Sequence, residues 1–286
     1  SKRICAIHFN LAQGEDLPFV RMSKHHGIER RIVHSHNSSA TNVIKKIGHV
    51  VFKRIFGEEG TVYCACSNQA ARWLFTKSII KNNRYFLVKN GIHTLNYRFS
   101  ESSRHKARFM LGVKEGTKLS LFVGRLSKQK NLEYLLREFA RTIISDPNQM
   151  LAIVGEGALE NELKEVASTL DIDSHLLWLG QRSDIPDLMS AADIFILPSI
   201  FEGFPFTLVE AQTSGLPCIV SDRVSQECRL TASIQYVPLL PGSFSDAILR
   251  THANSCEKRI EGFNEVRSAK YDIRDTAENL MQAYGA

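Results

Sequence analysis

The stretch Ile194-Phe195-Ile196-Leu197-Pro198-Ser199-Ile200-Phe201-Glu202-Gly203-Phe204-Pro205-Phe206-Thr207-Leu208-Val209-Glu210 governs how the rest of the chain is read. Its first four residues are apolar, close at Pro198, and read as a strand. Residues 206–214 read as a helix that Gly215 stops. Between them lies a loop carrying Glu202 and Gly203. Strand, loop and helix in that order are half of a βαβ unit.

The same alternation continues on both sides. Upstream, 119–123 reads as a buried strand and 131–144 as a helix, with Leu132, Leu135, Leu136, Phe139 and Ile143 on one face. A strand over 150–154 precedes a helix over 159–170, striped by Leu159, Leu163, Val166 and Leu170. Residues 176–179 read as a strand and 184–190 as a short helix. Downstream, strands are expected over 218–221 and 235–238. Strands alternating with helices imply a parallel, doubly wound α/β sheet. The first part of the chain is less regular: strands over 31–36, 61–66 and 85–89, helices over 42–56 and 68–77. Residues 91–103 are polar and aperiodic, which places the domain boundary there. The tail over 272–284 has helical spacing at Ile273, Ala277, Leu280 and Tyr284. The expected organisation is two Rossmann-like lobes, 1–95 and 96–270, with a C-terminal helix over 271–286 packing back toward the first.

Composition sets outer limits. The 286 residues are 43% hydrophobic and 23% charged, which excludes a disordered chain or a collagen-like fibre. No apolar run approaches the roughly 20 residues of a membrane-spanning helix. No secretory apolar core opens the chain. Six scattered cysteines (Cys5, Cys64, Cys66, Cys218, Cys228, Cys256) read as reduced thiols rather than a disulfide framework. The formal charge of +6 suits an acidic partner: nucleotide, lipid headgroup or nucleic acid.

Several local patterns bear on chemistry. Glu202 and Glu210 bracket a loop and the first turn of a helix. Gly203 permits close backbone approach, Pro205 suits a helix start, and the helix N-terminus favours an anion such as a diphosphate. Solvated acids near a helix start would give the same text. Gly124-Arg125-Leu126-Ser127-Lys128-Gln129-Lys130-Asn131 joins a strand to a helix and brings cations that can neutralise a pyrophosphate, or form an ordinary polar loop. It is not a Walker A loop. Gly155-Glu156-Gly157 is a weak glycine pair at a strand-to-helix turn, and no Gly-x-Gly-x-x-Gly fingerprint occurs. In His34-Ser35-His36-Asn37 the two histidines share a strand face, without further residues that would complete a metal set. The helix over 42–56 mixes Val43, Ile44, Ile47, Val50, Val51 and Ile55 with Lys45, Lys46, Lys53 and Arg54; it reads as a lobe helix with a basic face or as a helix lying on an anionic membrane.

Taken together these residues resemble the retaining glycosyltransferases of family 4, with the two-lobed GT-B fold. The resemblance rests on Gly124-Arg125 with Lys130-Asn131, Gly155-Glu156-Gly157, Ser183-Asp184-Ile185-Pro186-Asp187-Leu188-Met189, Ala192-Asp193-Ile194-Phe195-Ile196-Leu197-Pro198-Ser199, and the Glu202-to-Glu210 segment followed by Gly215-Leu216-Pro217. His34-Ser35-His36-Asn37 and Lys89-Asn90-Gly91-Ile92 look like the bacterial polysaccharide-assembly branch. The resemblance implies a UDP- or GDP-sugar donor held mainly by the second lobe, beside Gly124, Gly155 and Gly157. Arg125 and Lys130 would contact the diphosphate and stabilise the leaving group. Glu210 would bind the ribose hydroxyls. Glu202, with the backbone of Gly203, Phe204 and Pro205, would hold the sugar. Gln181 and Arg182 would flank the base, and His36 would face the reacting sugar. No essential metal or cofactor is implied. Asp171-Ile172-Asp173 resembles a metal-binding Asp-x-Asp of another glycosyltransferase fold, but its position between a helix end and a strand makes it a turn.

In this family a strand, a Gly-rich loop and helices precede the His-containing strand, whereas here His36 follows only 35 residues. The expectation is therefore an N-terminally shortened chain with an incomplete first lobe. The activity expected is retaining hexosyl transfer to a saccharide or lipid-linked saccharide in surface-polysaccharide synthesis. Its place would be cytoplasmic, peripheral on the inner face of the cytoplasmic membrane, without nucleic acid as a partner. The alternative is a module that binds the nucleotide-sugar but is catalytically silent.

Overall fold

The computed structural model describes residues 4–36 and 43–285. Two compact units divide the chain: Ser1–Gly91 together with Ile273–Ala286, and Ile92–Asp272. The segment 91–103, read from sequence as a linker, lies almost wholly in the second unit. It carries a 3-10 turn, Thr94–Tyr97, and the start of a helix, Glu101–Met110.

The first unit contains four parallel strands in the order β1 (Ala6–Leu11), β2 (Arg30–Ser35), β3 (Val62–Ala65) and β4 (Phe86–Leu87). β1 and the helix Leu17–His25 were not foreseen. Before Leu11 the strand's residues are half-buried or, at Asn10, exposed, so the apolar signature of a covered parallel strand is weak. The expected helix over 68–77 is two helices, Asn68–Leu74 and Lys77–Lys81, because the Thr76 side chain accepts the Ile79 amide and starts a new N-terminus. The C-terminal helix Ile273–Gly285 buries Ala283 among Ile32, Val62, Cys64 and Val88, and Thr276 donates to the Lys89 carbonyl at 2.8 Å.

The second unit has six parallel strands: β5 (Lys118–Val123), β6 (Gln149–Val154), β7 (Leu176–Gly180), β8 (Ile194–Leu197), β9 (Cys218–Ser221) and β10 (Ile234–Val237). Their order is β10-β9-β8-β5-β6-β7. β8 and β9 are buried along their whole length, as strands covered on both faces must be. From β5 the chain winds outward through β6 and β7, then returns to β8 on the other side and winds away. The order therefore reverses between β5 and β8. In an open α/β sheet that reversal parts the loops at the carboxyl ends of the two strands and leaves a crevice.

Two helices of this unit, Ser243–Arg250 and Cys256–Ser268, were not foreseen. Their inner faces mix apolar and polar residues: Phe244, Ala247 and Ile248 with Ser245 in the first, Phe263 and Val266 with Arg259 and Gly262 in the second. Glu138, fully buried on the helix Leu132–Ser145, accepts the amides of Gly242 (2.9 Å), Phe244 (3.0 Å) and Ser245 (3.2 Å) and so caps the first of them. The second packs through Gly262 against Gly215 and through buried Arg259, which donates to the carbonyls of Met189, Ser214 and Ala192.

Candidate functional site

The crevice at the strand-order reversal is lined by the loop after β5 and the loop after β8. Both belong to the second unit. Backbone bonds hold the β5 loop first. Gly124 N–H donates to Val154 O and Leu126 N–H to Glu156 O, both at 2.9 Å. This zips it to the neighbouring loop after β6. The zipper demands glycine: a Cβ on Gly155, whose φ is +126°, would lie 2.0 Å from the Gly124 carbonyl oxygen, and one on Gly157 would lie 2.2 Å from Leu126 O. Gly155 and Gly157, expected as donor contacts, are here the residues that let two backbones touch.

Past the zipper, the 3-10 turn Lys128–Lys130 ends at Asn131, which sits in the left-handed region (φ 58°, ψ 41°) and turns the chain into the helix Leu132–Ser145. Reciprocal bonds tie this turn to the β8 loop. Ile200 N–H donates to Gln129 O (2.8 Å), Gln129 Nε2 to Phe201 O (3.0 Å), and Asn131 Nδ2 to Pro198 O (3.2 Å). The result is an ion pair across the crevice: Lys130 Nζ lies 2.5 Å from Glu202 Oε1, with 16% and 11% of the two side chains exposed. Ser199 Oγ donates to the same Glu202 oxygen at 3.2 Å. The second carboxylate oxygen and two of the three ammonium protons have no bond among the described residues, so the pair can still bind a polyol and a phosphate. Glu202 is further fixed by its backbone, whose carbonyl accepts Ser225 N–H at 3.2 Å.

Pro205 is the N-cap of the helix Phe206–Thr213 rather than a residue of its first turn. Glu210 lies on that helix and accepts the Tyr97 hydroxyl at 2.8 Å. Burial pushes the Glu210 carboxyl above its ordinary pKa, and the Tyr97 bond pulls it partly back; Tyr97 itself is pushed up by burial and by Glu210. Phe204 stacks on Tyr271, with ring centroids 5.2 Å apart and planes 10° off parallel. Gly203 O accepts the Cys228 thiol at 3.5 Å. Arg125 is exposed and has no ion pair or hydrogen bond among the described residues. Arg182 is already held by Asp184 through two bonds of 2.8 and 2.6 Å, and Gln181 beside it is exposed. Lys130 and Glu202 thus meet directly, and Glu210 shares its helix with the end of the Glu202 loop. Gln129, Asn131 and Ser199 stood inside the quoted motifs without an assigned role, and Tyr97 was not foreseen.

His36 lies in the first unit and is described by itself. It follows β2, and its Nε2–H donates to Asn10 Oδ1 at 2.9 Å. Its ring centroid is 4.1 Å from that of His34, as their shared strand face requires. His34 is 3.1 Å from His8 Nε2, and His8 Nδ1 is 2.9 Å from the Tyr284 hydroxyl. Burial, with the neighbouring His36 and His8, lowers the His34 pKa to about 3. Asn37 lies outside the described residues. Among the described residues no group of three or more His, Cys, Asp or Glu side chains is placed to hold a metal ion. Cys64 and Cys66 are buried in the first unit's core.

Comparison with known proteins bears on the fold and the family. HepE of Anabaena, solved with UDP, superposes with a TM-score of 0.80 over 96% of this chain and 78% of that one, at 18% identity. Residues 103–232 match the family described as glycosyl transferases group 1. EpsF of Bacillus subtilis, named as a glycosyltransferase, is 30% identical over 90% of this chain and 69% of its own length. The UDP-Gal:alpha-D-GlcNAc-diphosphoundecaprenol alpha-1,3-galactosyltransferase of Escherichia coli is 30% identical over 82% of this chain and 66% of its own. The chain thus spans about two thirds of these relatives. Fold and sheet order define it as a GT-B protein. Within that class it belongs to the glycosyl transferases group 1.

Proposed function

We propose that the second unit binds a UDP- or GDP-sugar in the crevice between the β5 and β8 loops, in the manner of family 4. The observation that carries this reading is the Lys130–Glu202 pair at the strand-order reversal. It sets a cation where a diphosphate belongs and a carboxylate where sugar hydroxyls belong. Departure of a nucleoside diphosphate develops negative charge on its oxygens. Lys130, held in place by Glu202, and Arg125, exposed beside it, would meet that charge without reorganisation and without a metal. Glu210 would accept the ribose hydroxyls. Its raised pKa suits it to a site where burial is completed by the ligand.

The proposed reaction is hexosyl transfer with retention of anomeric configuration, to a saccharide or lipid-linked saccharide. The name of the Escherichia coli relative, a galactosyltransferase acting on a diphosphoundecaprenol-linked sugar, supports the lipid-linked choice. Such an acceptor would put the reaction at the cytoplasmic face of a membrane. Calorimetry with UDP and GDP, followed by a donor-hydrolysis assay, tests the reading. Binding with turnover supports it. Binding without turnover makes the chain the silent module, and no binding by folded protein rejects the crevice as a donor site.

A further inference from the structure

Tyr97 reaches the site of the second unit from outside the two crevice loops. It ends the 3-10 turn Thr94–Tyr97, and that turn is anchored through backbone and side chains alike. Ile92 N–H donates to Tyr271 O at 2.9 Å, and Ile92 pairs with Asp272 in a parallel bridge. The buried Thr94 hydroxyl donates to Asp272 Oδ2. The Tyr97 ring, with that of Phe204, packs against the cluster of Ile92, Val209, Val266 and Tyr271. Phe204 lies in the Glu202 loop and Val209 on the helix of Glu210. The phenol is therefore seated by the same two elements that carry the two acids.

What the phenol does follows from the donors around Glu210. The Tyr97 O–H donates to Glu210 Oε1 at 2.8 Å. Among the described residues no Lys, Arg or His pairs with Glu210. Its Oε2 has no hydrogen bond there and is not sealed from solvent. A carboxylate offers about four acceptor positions, of which Tyr97 fills one. A cation in the same place would neutralise the charge and compete for the remaining lone pairs. A phenol is a neutral donor. It fixes the carboxylate in one orientation and leaves a charged oxygen free to accept from another hydroxyl. Burial pushes the Glu210 carboxyl above its ordinary pKa and the Tyr97 bond draws it partly back, so the phenol also favours the ionised, acceptor-only form. A vicinal diol, which donates two hydrogen bonds and carries no charge, matches what is left.

We propose that Tyr97 is a positioning residue for nucleotide recognition: it holds Glu210 so that the free oxygen receives the ribose diol, and so makes the site select ribonucleoside over deoxyribonucleoside diphosphates. This rests on the donor-crevice reading given above. The test is titration calorimetry of the 286-residue chain with UDP, with GDP, and with the 2′,3′-dideoxy form of whichever binds. The parent should prefer the ribonucleotide by at least about tenfold, the yield of a hydrogen bond to a charged acceptor. Tyr97→Phe keeps the ring in its seat and removes the donor. It should cut that preference by at least about threefold and change the dideoxy affinity by less than about twofold, because the dideoxy ligand makes no bond to Glu210. In the Glu210→Gln background, Tyr97→Phe should lower the preference no further. A residue that served packing alone would weaken both ligands equally and leave the preference as it was. That result, an unchanged preference in cooperatively unfolding Tyr97→Phe protein, or a further loss in the Glu210→Gln background would each overturn the proposal and spare the donor crevice. A parent that binds ribonucleotide and dideoxynucleotide equally overturns the ribose role of Glu210 and this proposal with it. A parent that binds neither UDP nor GDP overturns the donor reading on which both rest.

Discussion

Replacing Lys130 by Met removes the ammonium and keeps the apolar stem. In the crevice this leaves Glu202, with 11% of its side chain exposed, with only the Ser199 hydroxyl at 3.2 Å. Exposed ion pairs are worth about 0–1 kcal/mol, whereas breaking a fully buried pair costs about 3–5 kcal/mol. A pair this nearly enclosed falls between them, so Lys130→Met should cost about 2 kcal/mol. For a unit of this size that is a fall of about 4–8 °C in the unfolding temperature. The Lys130 ammonium is also the proposed diphosphate donor, and a charged hydrogen bond of about 1.5–3 kcal/mol corresponds to about a 10- to 100-fold rise in Kd for UDP or GDP. The assay is a double-mutant cycle, Lys130→Met against Glu202→Gln, read by thermal unfolding and by calorimetry. The two should be strongly non-additive in stability. Additivity within about 0.5 kcal/mol, with an unchanged Kd, would refute the reasoning.

Three further outcomes follow from the same geometry. Gly155→Ala puts a methyl 2.0 Å from the Gly124 carbonyl oxygen at a φ of +126°, so it should destabilise the second unit by more than about 2 kcal/mol in chemical denaturation and weaken nucleotide binding by moving the loop that carries Lys130. Glu138→Ala strips the amides of Gly242, Phe244 and Ser245 of a buried acceptor and should cost about 3 kcal/mol or more, seen as early loss of hydrogen-exchange protection in Ser243–Arg250. His34 is held neutral to about pH 3, while an unfolded histidine takes a proton near pH 6.5. The unfolded chain therefore binds more protons between those values, and the stabilisation, complete above about pH 6.5, is lost as pH falls toward 3, at up to about 1.4 kcal/mol per unit. His34→Gln should flatten that slope for the first unit.

How much of this was legible in the sequence depended on what each residue packs against. Around Ile194–Leu197 the alternation of short apolar runs and amphipathic stripes marks every strand of the second sheet to within a residue or so at either end, because strands covered on both faces must be apolar throughout. The helices Ser243–Arg250 and Cys256–Ser268 were missed although Phe244, Ala247 and Ile248, and Phe263 and Val266, lie at helical spacing; each stripe is short and broken by buried Ser245 in the one and by Arg259 and Gly262 in the other. β1 escaped because only Leu11 of its six residues is buried. In the site, Lys130 and Glu202 were both named, yet nothing in a linear text joins residues on either side of six intervening α-helices and strands. Strand order does so, by setting β5 beside β8. Gly155 and Gly157 were named as ligand contacts, and their packing against Gly124 and Leu126 emerges only once the two loops are adjacent. Tyr97, which donates to Glu210, lay in a stretch that reads as a linker.

The central claim is that the crevice between the β5 and β8 loops receives a nucleoside diphosphate. Titration calorimetry of the folded chain with UDP and with GDP tests it most directly. One of the two should bind at a single site with a Kd of about 1 mM or tighter, equivalent to about −4 kcal/mol or better, and Lys130→Met should weaken it about tenfold or more. Heat of binding absent for both nucleotides, from protein that still unfolds cooperatively, would contradict it.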